Sequence, residues 1–309
     1  MSTKTSNPQN SGRRLTGVIV GYSFVLVVGV LVALTAQFNA RTSVARDSVE
    51  VAILPQQAVP VAQAALGLAA AGGGTFSGSI LFDGVPPKPV LAIRKGDASV
   101  KNAEVCAAED LYGEDMIVNP ENRGVQNVFV YLAKSPGPTD KPEEETVVLD
   151  QKGCRFLPHA MLVRVGQTIM VKSDDAIPHN TRTESAANPF NQVVRANDRE
   201  GIPLKYKKAE RLPQRVKCDF HPWMSAYQLV LDHPYMAVTD ADGKFTIPNV
   251  PAGKHTFIIW HERPGYLNKK YEVEVKAGDE KKVELKFGMD KFVGFQGPQP
   301  EEIAIRAAR

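Results

Sequence analysis

The sequence predicts an all-β protein of the β-sandwich type, preceded by one transmembrane helix. From residue 75 onward, short stretches of alternating apolar and polar residues follow one another, separated by turn residues. The chain contains 22 prolines and 24 glycines, the residue types that most often mark turns. After residue 36 no convincing long helical pattern is found. Such a series of short strands is typical of a sandwich.

The helix is predicted over residues 17–36. These are 20 consecutive residues without a charge, the length that an α-helix needs to cross a bilayer. Arg13 and Arg14 precede them, so the positive-inside rule places residues 1–16 in the cytoplasm and the rest of the chain outside it. A cleaved signal peptide is the alternative, although the apolar stretch is long for one and its cleavage signature is poor. Both interpretations place most of the protein beyond the cytoplasm.

The remainder of the chain is predicted to consist of a linker, a series of strands and a tail. Residues 37–74 are rich in Ala, Val, Gln and Pro and are interpreted as the linker, with a short membrane-surface helix over residues 61–71 as an alternative. The Asp242-Gly243 pair predicts a hairpin turn. Residues 289–309 form the tail. Strands are predicted over residues 75–82, 125–132, 161–171 (two strands joined at Gly166), 227–231, 236–238, 238–240, 245–247, 255–261, 271–275 and 282–287.

A candidate metal site lies in residues 218–224, Cys-Asp-Phe-His-Pro-Trp-Met. This loop places the thiol of Cys218, the imidazole of His221 and the thioether of Met224 three residues apart, and His179 lies 39 residues before the cysteine. A blue-copper centre needs two histidines and one cysteine in a plane, with a weak axial methionine. The sequence therefore predicts one copper ion held by these four residues. Zinc or no metal are the alternatives, and a methionine would be an unusual zinc ligand.

The loop resembles the ligand loop of the cupredoxins, the blue-copper family, and most closely that of the amicyanins, whose pattern is Cys-x-x-His-Pro-aromatic-Met. The resemblance covers residues 154–232 and implies a Greek-key β-sandwich over residues 146–235. Residues 195–208 depart from the family pattern and are interpreted as an exposed charged loop. The positions that match the loop one by one are Cys218, His221, Pro222, Trp223 and Met224.

The same resemblance implies roles for residues around the ligands. Asn180 would hydrogen-bond the cysteine loop and keep it rigid. The ring edge of His221 would reach the protein surface, where Pro222 and Trp223 would surround it as an apolar electron port. Packing of Trp223 into the sandwich is the alternative to a port.

A second small sandwich is predicted over residues 236–288. Residues 239–254 resemble the carboxypeptidase-regulatory, transthyretin-like β-sandwich family, which implies a scaffold without catalytic residues. Residues 77–84 and 124–132 resemble the earlier strands of that family. We therefore expect residues 75–145 and 236–288 to form one sandwich, with the copper domain inserted between them. Two consecutive domains are the simpler alternative.

The chain has three cysteines, and the assignment of Cys218 as a ligand leaves Cys106 and Cys154 as a pair. Outside the cytoplasm a disulfide between them is expected, with two buried thiols as the alternative. The histidines outside the ligand set are expected to be structural or surface residues: His159, His233, His255 and His261.

The predicted function is the transfer of single electrons between redox protein partners, by a protein anchored to the outer face of a membrane. The four ligands fill the site and leave no open position for a substrate, so we do not expect an enzyme. A copper carrier or storage protein is one alternative, and a surface adhesion or ligand-binding sandwich is another. The net charge is +3 with scattered basic residues, so nucleic acid is not expected as a partner.

Overall fold

Strands and turns make up nearly all of the computed structural model, which describes residues 72–292 of the 309. The predicted cytoplasmic segment, the anchor, the linker up to residue 71 with its possible helix at 61–71, and nearly all of the tail lie outside this range. Within the range the helices are two single turns of four residues each. No helix among residues 72–292 is long and apolar enough to cross a membrane.

The elements are named in chain order. The strands are β1 Gly73–Asp83, β2 Leu91–Ile93, β3 Leu111–Tyr112, β4 Phe129–Leu132, β5 Thr146–Gln151, β6 Phe156–Leu157, β7 Ala160–Arg164, β8 Thr168–Val171, β9 His179–Thr183, β10 Asn191–Val194, β11 Ile202–Lys205, β12 Gln214–Lys217, β13 Ser225–Leu231, β14 Met236–Val238, β15 Lys244–Pro251, β16 Gly253–His261, β17 Gly265–Val275 and β18 Glu280–Gly288. The helices are α1 Ala103–Cys106 and α2 Met289–Phe292.

The flanking sandwich, as we call it, consists of the sheets β15-β1-β18 and β14-β4-β16-β17. Strands that precede residue 146 therefore pair with strands that follow residue 235, while the domain boundaries themselves stay a prediction. The Asp242-Gly243 pair makes the turn before β15, and Gly243 has a φ of 72°, which glycine adopts without strain. The two sheets enclose one apolar core, which includes Phe76, Ile80, Val130, Phe245, Ile247, Phe257 and Ile259.

The site sandwich consists of the sheets β10-β9-β12-β13-β7 and β11-β8-β5-β6. In β8 buried residues alternate with partly exposed ones, as in a half-buried strand. The enclosed core includes Leu149, Val163, Ile169, Val194, Leu204, Val216, Ala226 and Val230. Cys218 and Met224 belong to this same core, so the candidate site is built into one end of it.

A third apolar cluster joins the two sandwiches. Strand β13 turns Ala226 and Val230 into the site sandwich, while the alternate residues of β13 face the flanking sandwich. Strand β4 divides its side chains in the same way, because a strand presents successive side chains to opposite faces. Both strands are therefore buried on both faces for almost their whole length. The cluster contains Phe129, Tyr131, Tyr227, Leu229, Leu231 and Trp260.

Two expectations about the strands are wrong in detail. The predicted strand at 125–132 is regular only over Phe129–Leu132, because Val125 makes an isolated bridge to Val118 instead of joining the sheet. Residues 195–208 are not simply an exposed loop. Strand β11 lies within them and pairs antiparallel with β8, and Leu204 and Tyr206 are buried.

Candidate metal centre

The candidate site forms where two neighbouring strands meet a short loop. His179 is the first residue of β9, and β12, which pairs antiparallel with β9, ends at Lys217. Cys218 follows directly, so the strand pairing brings it beside the start of β9. The loop to β13 is tight: the backbone N–H of Met224 donates to His221 O at 2.9 Å, and that of Cys218 donates to Met224 O at 3.3 Å.

Three of the four predicted ligands converge on one point. The distance from His179 Nδ1 to His221 Nδ1 is 2.9 Å, and their distances to Cys218 Sγ are 4.0 Å and 3.7 Å. A circle through the corners of a triangle with these sides has a radius of about 2.1 Å, and metal–nitrogen and metal–sulfur bonds are about 2.0 and 2.3 Å long in zinc sites. One metal ion therefore fits within bonding distance of all three atoms.

The site excludes solvent. His179 and His221 have no exposed surface, and Cys218 and Met224 are each 1 % exposed. Met224 is buried in the same loop as the other ligands and in the same core. The expectation that the ring edge of His221 reaches the surface is wrong, because the side chain of Asn102, from a distant part of the sequence, covers it.

Each imidazole is held by its outer nitrogen. His179 Nε2 lies 2.8 Å from Asp175 Oδ2, and His221 Nε2 lies 3.0 Å from Asn102 Oδ1. Both partners are hydrogen-bond acceptors, so in the neutral rings Nε2 carries the proton and Nδ1 carries the lone pair. Metal-binding histidines are oriented in this way by an outer carboxylate or carbonyl oxygen.

The inward lone pairs require a positive group between them. Two acceptor Nδ1 atoms lie 2.9 Å apart, and the thiol of Cys218 offers one proton to both. In the metal-free chain a proton on one Nδ1 can bridge to the other. A metal cation bonded to both nitrogens and to the thiolate would satisfy all three atoms at once, so the donor set fits a metal.

The pKa shifts at the site follow from burial and from the charges of the neighbouring groups. Burial disfavours the charged form of Asp175, but hydrogen bonds from His179 and from two backbone N–H groups outweigh it, so its pKa is lowered. Burial likewise opposes charge on His179, but Asp175 and Cys218 outweigh it and raise its pKa. Burial, with the charges of His179 and Lys101, lowers the pKa of His221 to about 4. His221 is therefore neutral at pH 7 and free to bind a metal.

Asn180 ties the cysteine loop to strand β9. Its Oδ1 accepts the backbone N–H of Asp219 at 2.6 Å, and its Nδ2 donates to Asp219 Oδ2 at 3.0 Å. The backbone N–H of Asn180 donates to Cys218 Sγ at 3.4 Å. These contacts restrict the motion of the loop next to the sulfur.

The residues predicted to form an electron port lie beside His221. Pro222 is exposed and Trp223 is partly exposed. The Trp223 ring centroid lies 5.3 Å from that of His221, and its indole N–H is buried without a hydrogen-bond partner. Trp223 thus combines an exposed part with contact to the ligand ring. Its role in electron transfer stays a prediction.

The disulfide between Cys106 and Cys154 is present, as predicted. It joins α1 to the turn before β6 and leaves Cys218 as the one free cysteine of the described residues. The disulfide is also connected to the candidate site, because the backbone N–H of Cys154 donates to Asp175 Oδ2 at 2.9 Å.

The four other histidines do not join a second cluster of ligands within residues 72–292. The only other group of three candidate ligands there is Cys154, Asp175 and His179, which shares a residue with the first and includes a disulfide sulfur. The four make separate contacts: His159 with Glu262, His233 with Tyr235, His255 with the carbonyl of Pro251 and His261 with Phe292.

Sequence reasoning missed two residues of the site, Asp175 and Asn102. Asp175 lies four residues before His179, and a carboxylate so close to a predicted ligand was a usable signal. Asn102 lies 119 residues from His221, and nothing in the local sequence indicates that the two meet.

Comparison with known families gives one partial match. The profile described as polysaccharide lyase family 4, domain II, matches residues 224–283, which run from the last predicted ligand through most of the C-terminal strands. The match covers too little of the chain to assign the protein to that family. The resemblance to carboxypeptidase-regulatory domains has no support among the matches. No curated protein sequence matches the chain.

Solved structures of copper proteins are similar over part of the chain. A purple cupredoxin from Nitrosopumilus maritimus is 18% identical, with 28% of this chain and 99% of that one covered and a TM-score of 0.24. A mutant of amicyanin in which a proline is replaced by alanine, in its oxidized state, is 19% identical, with 28% of this chain and 82% of that one covered and a TM-score of 0.25. A copper-containing nitrite reductase from Thermus scotoductus SA-01 is 16% identical, with 32% and 25% covered and a TM-score of 0.25. TM-scores this low do not establish a family.

Proposed function

We propose that the protein is a type 1 copper protein that carries single electrons between redox partners on the outer side of a membrane. The observation that carries the proposal is the convergence of His179 Nδ1, His221 Nδ1 and Cys218 Sγ on a point about 2.1 Å from each, a distance typical of metal–ligand bonds.

The choice of copper follows from the chemistry of the donors. A thiolate and a thioether are soft ligands, and two imidazoles with one cysteine and a weak methionine are the blue-copper set. His179, Cys218, His221 and Met224 would hold the ion. Structural zinc sites favour four cysteine or histidine ligands, so Met224 counts against zinc. Bound copper would supply a one-electron couple between Cu(I) and Cu(II).

The surrounding residues suit electron transfer because they hold the donors in place. Asp175 and Asn102 fix the two rings from their outer nitrogens, and Asn180 fixes the loop of the thiolate. Donors that are already oriented need little rearrangement when the charge at the site changes. Four ligands would leave no open position for a substrate, and we therefore propose a carrier of electrons and not an enzyme.

Burial of the donors also favours electron transfer over copper carriage, since a carrier must release its ion. The location rests on residues 17–36 as an anchor and on the disulfide, which is typical of compartments outside the cytoplasm. The flanking sandwich would serve as a scaffold, and the redox partners are unidentified proteins.

The proposal is tested with the full-length chain loaded with Cu(II). A strong visible absorption from thiolate-to-copper charge transfer is expected, and Cys218→Ser should abolish it. His233→Ala, which removes a buried histidine outside the site, is the matched control and should keep the colour. Repeated reduction and reoxidation with full recovery of the colour would separate electron transfer from carriage. A colourless copper-loaded chain, or colour that survives Cys218→Ser, would contradict the proposal.

A further inference from the structure

Asn102 separates the ligand His221 from solvent. Its Oδ1 lies 3.0 Å from His221 Nε2, and it is partly exposed while His221 has no exposed surface. One side chain therefore stands between the ring and water at this edge. The neighbouring Lys101 extends over the ring of Phe220, with 5.2 Å from its Nζ to the ring centroid, and continues the cover along the ligand loop.

The conformation of Asn102 is not explained by the short helix that follows it. The residue is left-handed, with φ 57° and ψ 45°, and its side chain makes no capping hydrogen bond to α1. Asparagine is among the few residues other than glycine that adopt this conformation readily. Its backbone carbonyl accepts the N–H groups of Val105 and Cys106. The side-chain oxygen, which a helix cap would use, is directed to His221 instead.

The segment that carries Asn102 is anchored at its other end. Cys106 ends α1, is buried in the core of the site sandwich and is bonded to Cys154. The backbone N–H of Cys154 donates to Asp175 Oδ2, the same oxygen that holds His179. The disulfide thus joins the two pieces of chain that orient the two imidazoles of the site.

We propose that Asn102 is a positioning residue of the metal centre. Asn102 fixes the His221 ring with Nδ1 toward Cys218. It also belongs to a lid, defined as residues 101–106 and anchored by the disulfide, which Asn102 closes over the site. The lid controls how fast reagents and metal reach His179, Cys218 and His221. The proposal deepens the proposed function, on which it rests for the identity of the metal, but the closure itself belongs to the metal-free chain.

The test measures alkylation of Cys218 by iodoacetamide in the metal-free, full-length chain with the disulfide formed. Asn102→Gly removes the acceptor and suits the left-handed backbone, and it should accelerate alkylation about tenfold, the change expected from losing one hydrogen bond of the closed state. Asn102→Asp keeps an acceptor oxygen and should retain the slow rate. Asn127→Gly is the matched control, because Asn127 is also left-handed, with φ 64°, but lies outside the site.

Two results would overturn the lid: an Asn102→Gly chain that is alkylated at the parent rate, or equal acceleration in Asn102→Gly and Asn102→Asp. If Asn102→Gly does not fold, the exchange of the His221 Nε2 proton with water in the parent chain decides instead. Slow exchange supports the lid, and exchange at the rate of a free imidazole overturns it.

The outcomes for the lid and for copper are distinguishable. If the copper-loaded parent chain is colourless but Cys218 is alkylated slowly and at a rate that depends on Asn102, the copper assignment is refuted and the lid proposal stands. If the parent chain is blue but the alkylation rate does not change in the Asn102 variants, the lid proposal is refuted and the copper assignment stands. In the blue protein the Asn102→Gly variant should also lose copper to a chelator faster than the parent, by a similar factor.

Discussion

Removing the disulfide should destabilise the site sandwich by an amount that follows from its position in the chain. Cys106 and Cys154 are separated by 48 residues. The chain-entropy relation for a crosslink that closes a loop of this length gives about 4 kcal/mol at 25 °C. We expect the double variant Cys106→Ala/Cys154→Ala to lose about this much free energy of unfolding.

The double variant is preferred to a single one for a structural reason. Both sulfurs are buried, with Cys106 2 % and Cys154 0 % exposed, so a single substitution leaves a free thiol in the core. Alanine at both positions keeps each Cβ and loses only the two sulfur atoms from the packing. The backbone N–H of Cys154 still holds Asp175, so most of the expected loss comes from the crosslink.

The assay is equilibrium unfolding in urea, followed by tryptophan fluorescence. The chain has two tryptophans: Trp223 lies on the ligand loop and Trp260 in the cluster between the sandwiches. The control is a reductant, which should destabilise the parent toward the variant and leave the variant unchanged. A loss below about 1 kcal/mol in the variant would refute the reasoning, since it lies well under the usual range of about 2–4 kcal/mol.

Three further predictions concern single residues. Burial would lower the pKa of His159, but Glu262 and Glu114 raise this pKa well above 6.5. The ion pair of His159 therefore contributes fully to stability below pH 6.5, and this contribution is lost as the pH rises through the raised pKa of His159. Glu262→Gln should make the free energy of unfolding depend less on pH. Because it breaks a buried ion pair, it should also lower that free energy by about 3–5 kcal/mol at pH values below the raised pKa of His159. Asn180→Ala should weaken copper binding about 10- to 100-fold in chelator competition, the usual cost of losing an outer partner of a metal site. Trp223→Lys should keep the visible spectrum and slow electron self-exchange, because it places a charge beside the ligand ring.

Each of these has a control on the flanking sandwich. Glu272→Gln, at an exposed position, should leave the pH dependence of stability unchanged, and a parent-like slope in Glu262→Gln would count against the buried pair. Asn268→Ala should not alter copper affinity. Tyr266→Lys should leave the rate of electron self-exchange unchanged. Loss of the visible copper absorption in Trp223→Lys would show instead that Trp223 supports the structure of the site.

The fold was predictable where strands carry a clear alternation or a turn signal. The pairs of short strands around Gly166 and after Asp242 are of this kind, and β14 matches its predicted limits at Met236–Val238. Strands such as β10 and β11 were missed because they are sheet edges. Three of the four residues of β10 are exposed, and β11 contains a proline, which edges tolerate. β10 therefore has no apolar alternation, and the alternation of β11 is short and interrupted by Pro203.

The site was predictable as far as its ligands lie in one short motif. Cys218, His221 and Met224 share a loop, and the donor chemistry indicated His179. The outer contacts could not be predicted, because they depend on packing between distant segments. Asn102 reaches His221 only through the position of α1 and its disulfide, and this contact is also why the predicted exposure of His221 is wrong.

The central claim, that this chain binds copper through two imidazoles and one thiolate, is tested most directly by X-ray absorption at the copper edge of the loaded full-length chain. The proposal predicts an inner shell of one sulfur and two imidazole nitrogens around each copper, with the inner sulfur absent in Cys218→Ser. An inner shell of nitrogen and oxygen alone in the parent chain, with no sulfur, would contradict it.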